Sequence, residues 1–210
     1  MNWYDFLLRN RGEVFDRTIE HIGLVGASMA IALVIGLPLG IALVRRLTLQ
    51  RWVLGAANVV QTIPSLALFG FLIPVTWIGG VGASTAIVAL SLYSLLPILR
   101  NTCTGIAEVD SAVVESARGM GMTPRQVLWQ VQLPLAAPVM LAGIRVATVI
   151  SIGVTTIAAA IGAGGLGVFI FRGVAMVNNQ VILAGAIPAA MLAIGADLAL
   201  GFFQRSIARR

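Results

Sequence analysis

Charged residues fall at long intervals along this 210-residue chain, and the gaps between them set the first expectations. Residues 22–44, 52–99, 146–171 and 173–196 carry no charge, in runs of 23, 48, 26 and 24. A helix of about 20 apolar residues crosses a bilayer, so the 48-residue run has room for two spans and a hairpin. The pattern predicts an all-α integral membrane protein with five spans, at about 22–44, 53–74, 80–99, 135–160 and 181–203. Residues 1–21 are expected to form a short amphipathic segment at the membrane surface, and residues 204–210 a tail.

One polar stretch, residues 108–134, interrupts the apolar pattern. Asp110 is placed to cap a helix over 111–118, which Gly119 and Gly121 end. Thr123-Pro124-Arg125-Gln126 has the form of a capping box with proline at the first helical position. A second helix is expected to follow and to close at Pro134, where the apolar pattern resumes. The first helix is expected to carry Val113, Ala117 and Met120 on one face. A DNA-binding helix–turn–helix is excluded by charge. Glu108, Asp110 and Glu115 outnumber Arg118 and Arg125, whereas phosphate binding needs a positive excess. A compact, well-capped insert of this kind suits docking to a soluble protein.

Composition agrees with a membrane chain: 59% of residues are hydrophobic, 10% are charged and the mean hydropathy is +0.97. All 14 basic residues are arginine and the net charge is +6. The arginines flank apolar runs and do not cluster on one surface, which argues against a nucleic-acid partner. Arg45, Arg46 and Arg51 follow span 1; Arg100, Arg118 and Arg125 lie in or beside the insert; Arg205, Arg209 and Arg210 lie in the tail. Cytoplasmic loops are enriched in Lys and Arg, so insert and tail are expected in the cytoplasm. Five spans then put the N-terminus outside. The first 21 residues mix three arginines with four acids, unlike a cleavable signal. Cys103 is the only cysteine, so no internal disulfide forms. His21 is the only histidine, which excludes a His-based metal cluster, and it is expected at the membrane interface. No nucleophile–base pair is visible, so no catalytic role is expected.

Gln61, Thr62, Pro64 and Ser65 form a polar, proline-broken stretch inside an uncharged run. Irregular backbone at membrane depth is tolerated where it lines a cavity or is buried in protein. The stretch therefore either lines a path or packs as a kink. Ser91, Tyr93 and Ser94 share that choice between path and interhelical hydrogen bonds. Arg145 and Asp197 are the charges expected within spans, where ionisable groups usually face a partner or a cavity. Antiparallel spans would let them meet, as a structural ion pair or as part of a gate. Gly162-Ala163-Gly164-Gly165-Leu166-Gly167 lacks the lysine of a phosphate loop. It is expected to form a turn after span 4, leading into a short outer helix. Phe69, Phe71, Trp77 and Tyr93 are the aromatics nearest a path, too few for a cage around a quaternary ammonium.

Glu115-Ser116-Ala117, then Gly121, then Val131-Gln132-Leu133-Pro134 resemble the EAA motif of ABC importer permeases. That motif reads EAA, three residues, Gly, nine residues, Ile-x-Leu-Pro. Ser116 and Val131 depart from it conservatively. NVVQTIPSLALFGFLIP (58–74), LYSLLPILRNTCTGI (92–106), LAGIRVATVISIG (141–153) and IGAGGLGVFIFRG (161–173) look like permeases of the osmoprotectant importers for glycine betaine, carnitine and choline. The methionine importer permease shares the EAA segment and the GAGGLG run but matches the other stretches less well.

The resemblance implies the type I importer permease fold in the bacterial cytoplasmic membrane. It places Glu115, Ser116, Ala117, Arg118, Gly119, Gly121, Met122 and Thr123 on a coupling element that docks on an ATP-binding subunit. The expected partners are an ABC ATP-binding subunit dimer, a second permease (the same or a related chain) and an extracytoplasmic substrate-binding protein. ATP and Mg are expected on the partner ATPase, with no cofactor in this chain. A methionine or amino-acid importer is the alternative. A channel or secondary transporter would carry its own coupling site at the bilayer midplane and would not need a capped ridge.

Overall fold

Residues 9–75, 77–78 and 80–208 are described in the computed structural model, and they form helices without any strand. The helices are α1 (Arg11–Leu43), α2 (Leu47–Thr62), α3 (Ser65–Leu72), α4 (Ala83–Ala107), α5 (Ser111–Gly119), α6 (Pro124–Gln126), α7 (Leu133–Ala158), α8 (Gly167–Ala175) and α9 (Asn179–Ala208). A π-helical stretch, Val127–Gln132, joins α6 to α7. Among the described residues, four helices are long and apolar enough to cross a membrane, or five if α2 and α3 make one bent span.

Some helices reach beyond the spans expected from charge gaps, at the start of α1 and the ends of α4 and α9, while α3 ends and α4 begins inside the expected bounds. α1 starts at Arg11, not near residue 22, and runs unbroken for 33 residues. The charged residues from Arg11 to Glu20 thus lie on the same helix as the apolar run, and two of them, Glu20 and Glu13, bind Gly165 and Arg172 beyond α7. The first eight residues of the expected segment, and Arg209 and Arg210 of the expected tail, lie outside the described residues. α9 continues through Arg205 to Ala208 and absorbs most of that tail.

Pro134 does not close the second helix of the insert. The chain passes from Thr123 to Ile161 as one helical rod of 38 residues counted from Pro124. Proline removes one backbone donor and crowds the preceding turn. Here the π-helical stretch lies directly before it, and the Leu133 amide bonds back to Leu128 O, five residues away. That wider turn relieves the crowding without ending the helix.

α2 does break. Pro64 pushes Ile63 into an extended conformation (φ −69°, ψ 128°), as the residue before proline prefers. α3 then leaves at 102° to α2. The freed Ile63 carbonyl accepts a hydrogen bond from the Tyr93 hydroxyl on α4.

The core lies between α1, α4, α7 and α9. Val25, Met29, Ala32, Ile98, Ala147 and Ile152 pack at its centre. Leu43, Leu99 and Cys103 close the end nearest the insert, and Leu24, Phe69, Ala86, Tyr93, Ala158 and Ile161 close the opposite end. α4 and α7 come close together at Gly143. A Cβ there would stand 2.5 Å from Asn101 Cβ and 2.6 Å from Pro97 O, so only glycine lets the two backbones touch.

Candidate functional site

The insert is a small folded unit in its own right. Asp110 accepts a hydrogen bond from the Ala112 amide at 2.9 Å and caps α5. α5 ends in a Schellman motif: the Met122 amide bonds to Ala117 O at 3.2 Å and the Gly121 amide to Arg118 O at 2.9 Å. Gly121 takes φ +85°, the left-handed conformation that motif requires. The box at Thr123 closes in both directions. The Gln126 amide donates to Thr123 Oγ1 at 3.3 Å, and the Thr123 amide donates to Gln126 Oε1 at 2.8 Å.

The face that α5 buries is not the expected one. Val114, Ala117 and Val127 form a miniature core, with Val109, Met122 and Val131 around it. Val113 and Met120 point outward, at 42% and 77% exposure. The π-helical stretch covers α5 on the Val114 side, and Met120 lies past the last helical residue. Ala117 therefore holds the insert together, while Glu115, Ser116, Arg118, Gly119, Gly121 and Thr123 remain exposed. Thr123, Arg125, Gln126, Trp129 and Gln130 line an open groove of about 570 Å³ beside them. Arg45, after α1, donates to Pro124 O at 2.7 Å and ties the insert to the bundle. This bond was not foreseen, since the two residues are 79 apart.

At the break in the α2–α3 pair, Gln61, Thr62, Pro64, Ser65 and Tyr93 come together with Ile63, Ile150 and Val154 around a cleft of about 430 Å³. Gln61 Nε2 donates to Tyr93 O at 3.3 Å, so the break is stitched to α4 in both directions. Ser91 and Ser94 do not join the cleft. Ser91 donates to Ile87 O and reaches Ser28 O on α1, while Ser94 donates to Leu90 O. Of the aromatics, Phe69 is buried in the core and Trp77 is 96% exposed, and Tyr93 is the aromatic among the described residues that line the cleft.

Arg145 and Asp197 meet. Arg145 Nε and Nη2 each donate to one Asp197 oxygen, the second at 2.6 Å, and both side chains are about one-third exposed.

The end away from the insert holds a second unforeseen network. His21 is fully buried, not interfacial. Its Nδ1 accepts from the Leu166 amide at 3.4 Å, which leaves the proton on Nε2 to donate to Ile152 O at 3.1 Å. Glu20 accepts from the Gly165 amide and from Arg17, and Glu13 pairs with Arg172 at 2.9 Å. The glycine-rich run is thus a turn clamped to α1, and it leads into α8. No group of three or more His, Cys, Asp or Glu that could hold a metal occurs among the described residues.

The comparisons with known proteins match this architecture. The family model described as "Binding-protein-dependent transport system inner membrane component" covers residues 32–210. The chain is 46% identical over 200 residues to the glycine betaine/carnitine/choline transport system permease protein OpuCD of Bacillus subtilis (strain 168), covering 95% of this chain and 86% of that one. It is 44% identical over 206 residues to the osmoprotectant import permease protein OsmW of Salmonella typhimurium, covering 97% and 96%. A structure of the MetNI methionine ABC transporter in an inward-facing conformation aligns with TM-score 0.83 at 26% identity, over 92% of this chain and 96% of that one. With its capped insert, its broken second span and these relatives along almost its whole length, the chain belongs to the inner-membrane components of binding-protein-dependent transport systems.

Proposed function

We propose that this chain is the permease subunit of an ATP-driven importer for a quaternary-amine osmoprotectant such as glycine betaine, carnitine or choline. The observation that carries this reading is the insert. It is a capped, exposed unit continuous with a membrane-spanning helix, a form suited to receiving force from a soluble partner. Glu115, Arg118, Val113 and Met120 form the surface offered to an ATP-binding subunit, which supplies ATP and Mg. Two permeases line one path, with the Gln61–Ser65 cleft facing it, and an extracytoplasmic binding protein delivers the solute. The arginine distribution favours a cytoplasmic insert and C-terminus and an external N-terminus.

The substrate class rests on relatives at 44–46% identity whose names specify betaines, choline and carnitine. The methionine transporter resembles the chain at 26% identity, which favours the osmoprotectant reading over the amino-acid alternative. The test is ATP hydrolysis by the complex in lipid, with its binding protein, against glycine betaine, carnitine, choline and methionine. Stimulation by a quaternary amine is expected. Stimulation by methionine alone would overturn the substrate and keep the motor.

A further inference from the structure

The Arg145–Asp197 pair stands in an unusual place. Both residues lie within helices otherwise apolar enough to span a membrane, yet both are about one-third exposed. Partly exposed charges at membrane depth are expensive against lipid and occur facing water or protein. The groove around them, about 380 Å³, is lined by Ala142, Val146, Val149 and Ile150 on α7 and extends to Gln204 on α9. Ile150 also lines the Gln61–Ser65 cleft, so the two depressions share a wall. The polar cleft at Gln61–Ser65 and the ion pair therefore adjoin across an apolar wall at Ile150.

The pair is also incompletely satisfied. Nε and Nη2 engage Asp197, while Arg145 Nη1 makes no hydrogen bond among the described residues. The guanidinium lies against Gly201, where an added Cβ would stand 3.3 Å from Cζ and from Nη1. A methyl there would shift it by a few tenths of an ångström, and a branched side chain would take its place.

We propose that Arg145 and Asp197 form a transit site for a zwitterionic solute, with the solute carboxylate on Arg145 and its quaternary ammonium facing Asp197. This deepens the function proposed above and rests on it. A betaine carries its two charges one methylene apart and can exchange one ion pair for two similar ones. Such an exchange is close to balanced, because no charge is left unpaired at membrane depth. A site that binds weakly and releases is what conduction requires. The apolar wall of Ala142, Val146, Val149 and Ile150 suits the N-methyl groups. Choline has nothing to offer Arg145, so a path through this site favours betaines over a bare cation.

The experiment compares glycine betaine and choline uptake into vesicles holding the assembled transporter, with one binding protein throughout so that its own preference cancels. The double substitution Arg145→Gln/Asp197→Asn removes both charges without stranding either. It is expected to lower the betaine-to-choline uptake ratio by about tenfold, the discrimination of one charge-assisted hydrogen bond. The reversed pair Arg145→Asp/Asp197→Arg is expected to keep more of the ratio, since a zwitterion can bind either way round. An unchanged ratio in the neutral pair overturns the proposal and leaves the importer reading intact. If the neutral pair does not assemble, Gly201→Leu decides, since its side chain needs the space the guanidinium fills: a lower ratio supports the site and an unchanged one overturns it. A wild-type complex that moves neither solute overturns the substrate reading, and this inference with it.

Discussion

The carboxylate of Glu20 accepts a hydrogen bond from the amide of Gly165 at 3.0 Å, across 145 residues of sequence. The contact fastens the glycine-rich turn after α7 to the start of α1, and His21 adds a second tie one residue along. Gly165 is held at φ +75°, and a Cβ there would stand 3.1 Å from His21 Nδ1. Gly165→Ala therefore combines a left-handed strain of about 1–2 kcal/mol with a displaced imidazole. The expected result is a lower melting temperature for the purified complex, by about 2–4 °C for each kcal/mol. Gly153→Ala, on the exposed side of α7 with nothing within 4 Å, serves as the control and is expected to cause no loss. Equal melting temperatures for the two variants would refute the clamp.

Two glycines of the insert separate conformation from contact. A Cβ on either Gly119 or Gly121 meets nothing within 4 Å, but only Gly121 has a positive φ. Gly121→Ala is expected to strain the end of α5 by about 1–2 kcal/mol and to lower the amount of solute moved per ATP hydrolysed. Gly119→Ala should leave that ratio near the wild-type value. Measuring transport and hydrolysis in the same vesicles checks this, and a matching loss in both variants would show that the insert's terminal geometry does not matter.

Tyr93 connects the cleft to the core. Tyr93→Phe removes the hydroxyl that bonds the Ile63 carbonyl and leaves that group without its donor, at a cost of about 1–3 kcal/mol. The α2–α3 break should loosen, and uptake should fall several-fold with little change in the amount of assembled transporter. Ser94→Ala, which loses only a bond to Leu90 O in its own helix, is expected to transport normally. If both behave alike, the break is not held from α4.

The parts of this molecule that were legible in the sequence are those fixed by neighbours along the chain. The Asp110 cap, the Thr123–Gln126 box and the Pro64 break each depend on residues within a few positions of one another, so their spacing announces them. The Arg145–Asp197 contact was within reach because two antiparallel helices place residues by simple counting. His21 was not. Its partners lie 131 and 145 residues away, and a lone histidine beside an apolar run carries no pattern that points to them. Glu13 and Arg172 were hidden in the same way, 159 residues apart. Pro134 misled for a different reason. Proline usually marks a helix end, but a π-helical turn can absorb it, and nothing in the residue types distinguishes the two outcomes.

The rod from Pro124 to Ile161 crosses α4 at Gly143, where the two backbones touch. Gly143 lies 19 residues from one end of that rod and 18 from the other, about 27–29 Å on each side at helical rise. Gly105 on α4 makes a second close approach to the same rod, where a Cβ would stand 3.0 Å from Val139 Cβ and 3.1 Å from Ala136 O. The rod is thus held against α4 at two levels and not at a point. The insert, Arg145 and the start of the glycine turn belong to one element, with no loop between them to absorb a displacement.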